Sequence, residues 1–522
     1  MLKMVDGTGI IGLDMVCPLG GTVSPPQPPN YDNVEMEGMG SLTLQNSLKA
    51  PLERLELIGN STQGENPSPD NPQEIKSAGR KSKNLLNIAD LRVGQVQKDG
   101  TINEKQIYYR TVILDVPQDG KYRITFNSND DYTMLYFTEA YANGAYSKPY
   151  IRVQAGNPNY YITLEKGKNI LSFSTHTASG NIAFTTDHNI MIAAESETLD
   201  YEPYGYFLDV KVTGKNLFSN KPTDWMIGKG LSWSTYPNDP ISIYRVINSA
   251  VNVINLKPST TYSIVNNSEK IVISRMIERN LSENGIKDHD VRHSKYTFVT
   301  NQNTMNAILQ FKKVDGTELL SSDIESNKIM LVEGEANENT PYEPCTEQSV
   351  QIALNEPLRG IGEYNDTITK DGVVRKIKRI VFDGSEDEKW VINNERENVI
   401  RFIPHQFGDA IKINDYQRSM IDKLKWVSGV WNRDEVGQDM FAGILRINMP
   451  KTLTPDLQTF KTWLSQNPLT VDYVLAEPVT EPLPESVQDQ LSALHSENGT
   501  THVFVDSGEV PCGIKLTYRK EK

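Results

Sequence analysis

A stretch of sequence that occurs twice constrains the fold more than any other feature of this chain. Each copy opens with a Lys-Asn-Leu motif and closes with a Tyr-Glu-Pro motif: Lys83-Asn84-Leu85 and Tyr201-Glu202-Pro203 in the first, Lys215-Asn216-Leu217 and Tyr342-Glu343-Pro344 in the second. A third marker lies inside both copies, an apolar residue that precedes a tyrosine by the same interval: Val116 and Tyr122, then Leu256 and Tyr262. Markers in one order over blocks of similar length predict two copies of one domain.

Length and charge limit the function classes open to the chain. Its 522 residues are enough for about three or four domains, each with its own core. Acidic residues outnumber basic ones by 67 to 53, which gives a net charge of −14. The densest basic run, Arg375-Lys376-Ile377-Lys378-Arg379, alternates like a strand, and we expect its charged side chains to face solvent. Since nucleic-acid binding needs clustered Lys and Arg, we expect no nucleic-acid partner.

Cysteine usage and hydropathy bear on the compartment. Cys17, Cys345 and Cys512 are far apart and lack CxxC spacing, so neither a disulfide framework nor a zinc site is indicated, and synthesis in a reducing cytoplasm is expected. The apolar run near the N-terminus is broken by Asp14 and follows only Lys3, which does not suit a signal peptide. No apolar run is long enough to span a bilayer, so we expect no membrane insertion.

The remaining segments suggest how the two copies are carried. Residues 1–40 are rich in Gly and Pro and contain Ser24-Pro25-Pro26, which predicts an arm and stiff linker that either docks on another subunit or is a frayed terminus. Residues 41–82 begin with an alternating strand at 41–45, and residues 350–354 alternate in the same way. We expect these strands to pair in a small β platform.

The two copies themselves are predicted to be β-sandwiches. Module 1 spans residues 83–205 and module 2 spans residues 206–348. Apolar and polar residues alternate with a period of two, as in Tyr122, Ile124 and Phe126, and turn signals such as Asp119-Gly120 punctuate the strands. Many short strands without an amphipathic helix favour tandem jelly-roll-like modules in a mostly β protein.

Residues 349–522 predict a C-terminal domain of β or mixed α+β type. Thr454 is a candidate N-cap with Pro455 as first helical residue, and the apolar spacing that follows predicts a helix near 455–465 that Asn467-Pro468 ends. A second short helix is expected over 486–494, and residues 502–505 read as a strand.

Several segments resemble tail and baseplate structural proteins of phages and prophages of Gram-positive bacteria. They occur in the expected order and cover residues 41 to about 505: Ala50-Pro51-Leu52, Pro67-Ser68-Pro69-Asp70-Asn71-Pro72, Asn355-Glu356-Pro357-Leu358-Arg359-Gly360, Phe382-Asp383-Gly384-Ser385 with Trp390, and Asn467-Pro468-Leu469-Thr470-Val471-Asp472-Tyr473-Val474-Leu475-Ala476-Glu477-Pro478. The resemblance implies a virion component near the tail tip, with carbohydrate-binding-like modules between platform and C-terminal domain. The family has no catalytic motif to transfer, and the resemblance does not extend to residues 1–40.

Carbohydrate binding by such modules needs exposed aromatic rings beside side chains that hydrogen-bond hydroxyl groups. Candidates with this chemistry are Trp225, Trp233, Tyr236, Asn238 and Asp239 in module 2, and Tyr132, Tyr136 and Tyr141 in module 1. The alternative reading is that half or more of these aromatic side chains are core or strand-pairing residues. The loop-like setting of Trp233 and Tyr236 makes them the better candidates.

Other chemistry is less well supported by the sequence. Residues 127–131 offer oxygen ligands for Ca²⁺ but lack the spacing of an EF-hand, so a polar turn is favoured. His289 and His293 lie four apart, yet their surroundings predict a solvated loop that leads into a strand. Hydrolase, metalloprotease and P-loop motifs are absent, so no enzyme activity and no cofactor are expected.

The sequence therefore predicts a phage tail or baseplate protein that attaches to host cell-surface glycan, gaining strength from many weak sites. An architectural subunit without glycan binding is the main alternative, and a glycan hydrolase a weaker one. Other tail proteins are the expected partners in the virion. A homo-oligomer is expected, but no heptad pattern specifies a trimer.

Overall fold

The computed structural model describes residues 31–522 and two short N-terminal strands, apart from residues 98–100, 108, 126–133, 142–150, 155–159, 178–179, 183–189, 196–200, 233–241, 281–283, 292–293, 338, 405–407, 413–417 and 522. Strands dominate the described residues, so the mostly β class predicted from sequence is confirmed. Before module 1 the strands are β1 (Val5–Asp6), β2 (Gly9–Ile10), β3 (Tyr31–Met39), β4 (Ser41–Asn46), β5 (Leu52–Ile58), β6 (Ser61–Thr62), β7 (Lys76–Ser77) and β8 (Arg80–Lys81).

Module 1 contains β9 (Arg92–Val93), β10 (Gln95–Val96), β11 (Ile102–Asn103), β12 (Tyr109–Val116), β13 (Gly120–Thr125), β14 (Met134–Tyr141), β15 (Ile151–Gln154), β16 (Tyr160–Leu164), β17 (Gly167–Thr177), β18 (Gly180–Ile182) and β19 (Met191–Ala194). The connecting strand is β20 (Tyr206–Thr213). Module 2 contains β21 (Trp225–Ser232), β22 (Ser242–Asn255), β23 (Thr261–Asn266), β24 (Ile271–Arg279), β25 (Gly285–His289), β26 (Lys295–Val299), β27 (Asn306–Lys313), α1 (Ser321–Glu325) and β28 (Ile329–Glu333).

The rest of the chain forms β29 (Glu347–Leu354), β30 (Gly360–Ile361), β31 (Tyr364–Asn365), β32 (Thr367–Thr369), β33 (Gly372–Phe382), β34 (Val391–Glu395), β35 (Val399–Ile403), β36 (Ser419–Ile421), β37 (Gly437–Phe441), β38 (Ile444–Pro450), α2 (Leu457–Gln466), β39 (Leu469–Glu481), α3 (Glu485–Ala493), β40 (Gly499–Asp506) and β41 (Gly513–Glu521). Short 3₁₀ turns span Ile88–Asp90, Pro222–Asp224, Glu386–Glu388 and Val430–Asn432.

The two modules have the same strand order. One sheet of module 1 runs β15-β14-β17-β12-β9, and the matching sheet of module 2 runs β25-β24-β27-β22-β21. The opposing sheets are three-stranded, β16-β13-β19 and β26-β23-β28. In both modules apolar side chains from the two sheets share one core. The repeated sequence therefore corresponds to a repeated jelly-roll-like sandwich.

The asparagine of each repeated motif makes equivalent hydrogen bonds in the two modules. Asn84 is buried, its Nδ2 donates to Ile190 O at 3.0 Å, and its Oδ1 accepts from the backbone N–H groups of Leu86 and Ile192. Asn216 makes the equivalent bonds to Ile329, Phe218 and Leu331 in module 2. Each asparagine thus clamps the start of its module to the last strand, satisfying backbone groups that burial would otherwise orphan.

The interior tyrosine of each copy also ties back to the preceding turn. Tyr122 Oη donates to Gln118 O at 2.7 Å in module 1. In module 2 the hydroxyl of Tyr262 accepts from Lys257 N at 3.0 Å. Both rings are buried, so the hydroxyl bond lets a large aromatic side chain fill the core without an unsatisfied polar atom.

The platform is a two-sheet sandwich assembled from distant segments. One sheet runs β29-β20-β40-β4, and the other runs β3-β41-β5-β32-β33-β39-β36. Apolar residues of both sheets and of α3 form a single core. The strands at 41–45 and 350–354 share a sheet as expected, but they do not pair directly, because β20 and β40 lie between them.

The structure shifts the boundaries expected from sequence. Residues 31–39 form β3, an edge strand of the platform, so the N-terminal arm expected over 1–40 ends earlier. Strand β20 lies within the bounds expected for module 2 but pairs with β29 and β40 in the platform. Strands β29, β32, β40 and β41, assigned to a C-terminal domain, also belong to the platform sheets.

The remaining C-terminal residues pack around their own core. The sheet β34-β35-β38-β37 lies against α2 and the distal parts of β33 and β39. Helix α2 confirms the helix predicted near 455–465, but its N-cap is Asp456, whose side chain accepts from Thr459 N at 2.7 Å, and not Thr454. Thr454 is instead fully buried and bonds to Pro450 O. Helix α3 confirms the short helix predicted over 486–494.

The basic run on β33 faces solvent only in part: Lys378 is exposed as expected, whereas Arg375 and Arg379 are paired with acidic residues. Arg375 is 5% exposed, and its guanidinium donates to the carbonyl groups of Glu356 and Pro357 and reaches Asp366. Arg379 forms a two-armed ion pair with Asp472, which is fully buried. Burial of Arg375 and partial burial of Arg379 are possible because carboxylate and carbonyl oxygens accept hydrogen bonds from their guanidinium groups.

Candidate functional site

The structure removes one predicted sugar-binding residue from the surface. Trp225 is 5% exposed, and its ring packs edge-on against Phe218 at 5.2 Å and lies 4.5 Å from the ring of Phe311. Its indole N–H donates to Ser219 O at 2.9 Å. Both ring faces are therefore committed to the core of module 2, and Trp225 is a packing residue, the alternative that the sequence left open.

The other predicted residues fall into two groups. Tyr136 and Tyr141 lie on β14, which pairs with β17 in the larger sheet of module 1. Outside the described residues lie Tyr132, Trp233, Tyr236, Asn238 and Asp239, together with the calcium candidate at 127–131. In the part of the chain that the structure describes, no group of three or more His, Cys, Asp or Glu side chains could hold a metal ion.

His289 has a structural setting that the sequence did not predict. It lies on β25 and is 4% exposed, where a solvated loop was expected. Its Nε2 contacts the carboxylate of Glu278 and its Nδ1 lies 3.0 Å from Tyr296 Oη. Burial alone would raise the pKa of Glu278, but hydrogen bonds from His289, Asn301 and Thr304 outweigh it and lower that pKa. These hydrogen-bonded side chains tie β24 to β25 and β26.

A narrow cleft that encloses about 40 Å³ lies where module 2 meets the platform. Its walls come from β20 and β40 of the platform, from β22 of module 2, and from the segment that joins β20 to β21. The lining residues are Lys211, Thr213, Leu217, Ser219, Asp224, Asn252, Val253, Ile254, Asn255 and Phe504. This volume has room for a few water molecules and is well below the volume of ligand pockets in proteins, about 300–1,000 Å³.

The polar side of the cleft is held in place by neighbouring groups. Asp224 accepts a short hydrogen bond from the hydroxyl of Ser219, and its backbone carbonyl accepts from Asn252 Nδ2 at 3.1 Å. Lys211 Nζ lies 2.6 Å from a carboxylate oxygen of Glu347. An ammonium group, a carboxylate and amides are thus fixed around one opening, which is the donor and acceptor set that hydroxyl-rich ligands require.

One polar atom in the cleft wall has no partner. Thr213 is 1% exposed, and its Oγ1 is buried without a hydrogen bond within the described residues. An unsatisfied buried hydroxyl costs about 1–3 kcal/mol. A small apolar surface lies opposite, formed by Leu217, Ile254 and Phe504, which are buried but border the opening. The cleft therefore joins an apolar wall to a hydroxyl that a ligand could satisfy.

Ionic contacts fix module 2 to the platform beside this cleft. Lys257 Nζ lies 2.8 Å from a carboxylate oxygen of Glu333 in module 2 and also contacts the hydroxyl of Thr43 on β4. His502 on β40 is fully buried, with Nδ1 3.3 Å from the same Glu333 oxygen. Burial raises the pKa of Glu333, but hydrogen bonds and charges of His502 and Lys257 outweigh it and lower that pKa to about 2.

Sequence reasoning could not have found this cleft. Its walls combine residues 211–255 with Phe504, and Lys211 faces Phe504 only because β20 and β40 pair in register. Single Lys, Asn and Thr residues on alternating strands look like ordinary solvent-facing positions. The nearest residue singled out from the sequence is Trp225, which donates a hydrogen bond to the cleft residue Ser219 but does not itself line the cleft.

Comparisons with known proteins give no family assignment. No family model matches the chain, and no curated protein does. Among solved structures, the VP2 subviral particle of infectious bursal disease virus is similar at 8% identity over 96% of this chain and 84% of that one, with a TM-score of 0.12. The T13 particle of the same virus matches at 7% identity over 96% and 80%, with a TM-score of 0.11. Scores this low carry no argument about fold or function.

Proposed function

We propose that this chain is a structural component of a phage tail or baseplate that displays its two sandwich modules for attachment to host cell-surface glycan. The observation that carries the proposal is the duplication of one jelly-roll-like sandwich on a single platform. Two binding modules on one body gain avidity because the second contact forms at high effective concentration. The ordered resemblance of residues 41 to about 505 to tail proteins of Gram-positive phages supports the virion setting.

The cleft of module 2 is a candidate point of contact for the edge of a sugar residue, since its enclosed volume of about 40 Å³ is too small for a whole ring. It offers Lys211, Asp224 and Asn255 beside an apolar wall, together with the unsatisfied hydroxyl of Thr213. A glycoside hydrolase requires two carboxylates across the bond that breaks, and Asp224 is the one acid among the described residues that line the cleft. Binding without cleavage is therefore the chemistry that this site favours.

Sedimentation of the full chain with Gram-positive cell walls tests the proposal. The cleft variant is Lys211→Ala with Asn255→Ala, since both side chains line the opening and neither belongs to a module core. The matched control is Lys295→Ala with Asn267→Ala, exposed positions of module 2 that do not line the cleft. Retention on walls that is lost in the cleft variant and kept in the control is the expected result.

The other outcomes separate the remaining functions. If mass spectrometry detects the chain in purified phage particles and the chain does not bind cell walls, it is an architectural subunit. Release of reducing sugar from wall polymer would identify a hydrolase. Absence of the chain from particles of an induced lysogen that encodes it would refute the virion role itself.

A further inference from the structure

The C-terminal core carries an exposed tryptophan that the sequence analysis did not single out. Trp431 is 46% exposed and lies in the 3₁₀ turn Val430–Asn432. The turn follows Gly429, whose φ of +65° favours glycine. Its exposed ring offers an apolar surface that a ligand could cover.

Buried polar side chains hold this turn rigidly over the sheet β34-β35-β38-β37. Arg401 is 6% exposed and donates to Trp431 O and to Asn448 Oδ1. Asn448 Nδ2 donates to Val430 O at 3.0 Å, and Val430 N donates to Asp439 Oδ2 at 3.0 Å. The tryptophan backbone is thus fixed before any ligand arrives, which reduces the entropy lost on binding.

A second loop is fastened beside the tryptophan. Arg396, at the tip of the β34–β35 hairpin, donates to Trp431 O at 3.3 Å and to Asn432 Oδ1 at 3.2 Å. Next to it Asn398 donates to both carboxylate oxygens of Asp434, at 2.9 and 2.7 Å. The turn that carries the indole is therefore bordered by fixed side chains that can donate and accept hydrogen bonds.

We propose that the indole of Trp431 is the stacking surface of a sugar-binding site in the C-terminal core. Asn432 and Arg396 are its hydrogen-bonding neighbours, and the ligand is a neutral hexose of a polysaccharide. An indole face matches the apolar face of a pyranose, and the amide and guanidinium groups match its hydroxyls. This site is separate from the glycan binding proposed for the modules and stands or falls independently of it.

The polar surroundings favour a sugar over a protein partner. Residues 393–398 of the fastened hairpin and residues 432–435 after the tryptophan are all polar or charged. The centre of a protein interface is depleted in charged residues and needs a contiguous buried patch, typically about 800 Å² from each partner. A single ring bordered by amides and charges suits one sugar residue better.

Affinity electrophoresis of the full chain tests the proposal. Native gels are cast with dextran, soluble starch, laminarin, galactomannan or neutral polysaccharide released from Gram-positive walls. At least one polymer is expected to retard the wild type, and Trp431→Ala is expected to weaken that affinity by about tenfold. Trp431→Phe should keep most of it because it retains a ring.

Matched variants keep the test decisive. Val391→Ala is the control, since Val391 is 49% exposed at the opposite end of the same hairpin and should leave retardation unchanged. Asn432→Ala changes the exposed side chain that follows the tryptophan. Its gel retardation tests the same site if Trp431→Ala fails to fold.

Two results would overturn the site: no retardation of the wild type in any gel, or equal retardation of the wild type and Trp431→Ala. In the second case, loss of particle assembly by Trp431→Ala would assign the ring to a protein interface. Failure of the module-based proposal is read separately, because each set of variants is also made in the background of the other. Gel retardation that survives Lys211→Ala with Asn255→Ala but is lost with Trp431→Ala belongs to this site. Wall retention that survives Trp431→Ala but is lost with Lys211→Ala and Asn255→Ala belongs to module 2.

Discussion

Modules 1 and 2 have the same strand order but meet the platform through different residues. The register aligns the two copies, since Tyr122 pairs with Ala194 in module 1 and Tyr262 pairs with Glu333 in module 2. At the position of Glu333, the acid that bonds to Lys257 and His502, module 1 therefore has an alanine. Lys257 likewise corresponds to Pro117, the residue after the apolar marker.

The comparison separates what the fold needs from what attachment needs. Both copies keep the buried asparagine clamp and the tyrosine that closes the preceding turn. Module 2 alone has the Lys257–Glu333 pair, whereas module 1 approaches the platform through Glu202, which lies 2.7 Å from Arg80. The interior of the sandwich is thus preserved while the attachment to the platform differs between copies.

The largest effect is expected from the clamp, and it should be equal in both modules. Asn84→Ala and Asn216→Ala each leave buried backbone groups without partners, so each should lower the free energy of unfolding of its own module by about 3 kcal/mol. Hydrogen exchange on peptides of β19 and β28 measures this, with the exposed Asn267→Ala as control. A loss in one module only would show that the two clamps are not equivalent.

An intermediate effect is expected from Glu333→Gln, and in module 2 alone. The pKa of Glu333 is about 2 in the folded protein, below its ordinary value of 4.5, so its contribution is complete above pH 4.5 and is lost as the pH falls toward 2. At neutral pH the variant should weaken protection of β28 and β40 by about 2 kcal/mol, and its acid dependence should flatten. Unchanged exchange between pH 5 and 3 in the wild type would contradict this.

The smallest effect is expected from moving the pair into module 1. Pro117→Lys with Ala194→Glu reproduces the Lys257–Glu333 positions without His502 and Thr43 around them. Because an ion pair with little burial contributes about 0–1 kcal/mol, the midpoint of thermal unfolding of module 1 should change by no more than a few degrees. A larger stabilisation would mean that the pair suffices for attachment and that its platform partners are dispensable.

The sequence predicted local features well because their causes are local. The period of two in residues such as Tyr122 and Ile124 indicates a half-buried strand wherever the strand pairs. Apolar residues at helical spacing, ended by Asn467, indicate α2 without knowledge of its neighbours. The duplication was visible because the clamp and tyrosine motifs must recur for the same sandwich to form twice.

The sequence could not show which distant strands and side chains contact one another. Alternation shows that Arg375 and Ile377 share one face of β33, but only the carbonyl groups near Pro357 and the carboxylate of Asp366 make that face a buried one. The pairing of β20 with β40 brings together residues nearly 300 positions apart and creates the cleft of module 2. Trp431 likewise reads as one more apolar residue until its loop is seen fastened over a polar sheet face.

The arrangement of the platform has a consequence for the order in which the protein is made. Strand β3 pairs along its whole length with β41, and β4 pairs with β40, so the first platform strands to leave the ribosome wait for the last. Both modules are continuous in sequence and can fold while synthesis continues, whereas the platform closes only after nearly the whole chain has emerged. A chain released early would therefore carry folded modules on an incomplete platform. Its strands β4 and β5 would then present unpaired edges to chaperones and proteases.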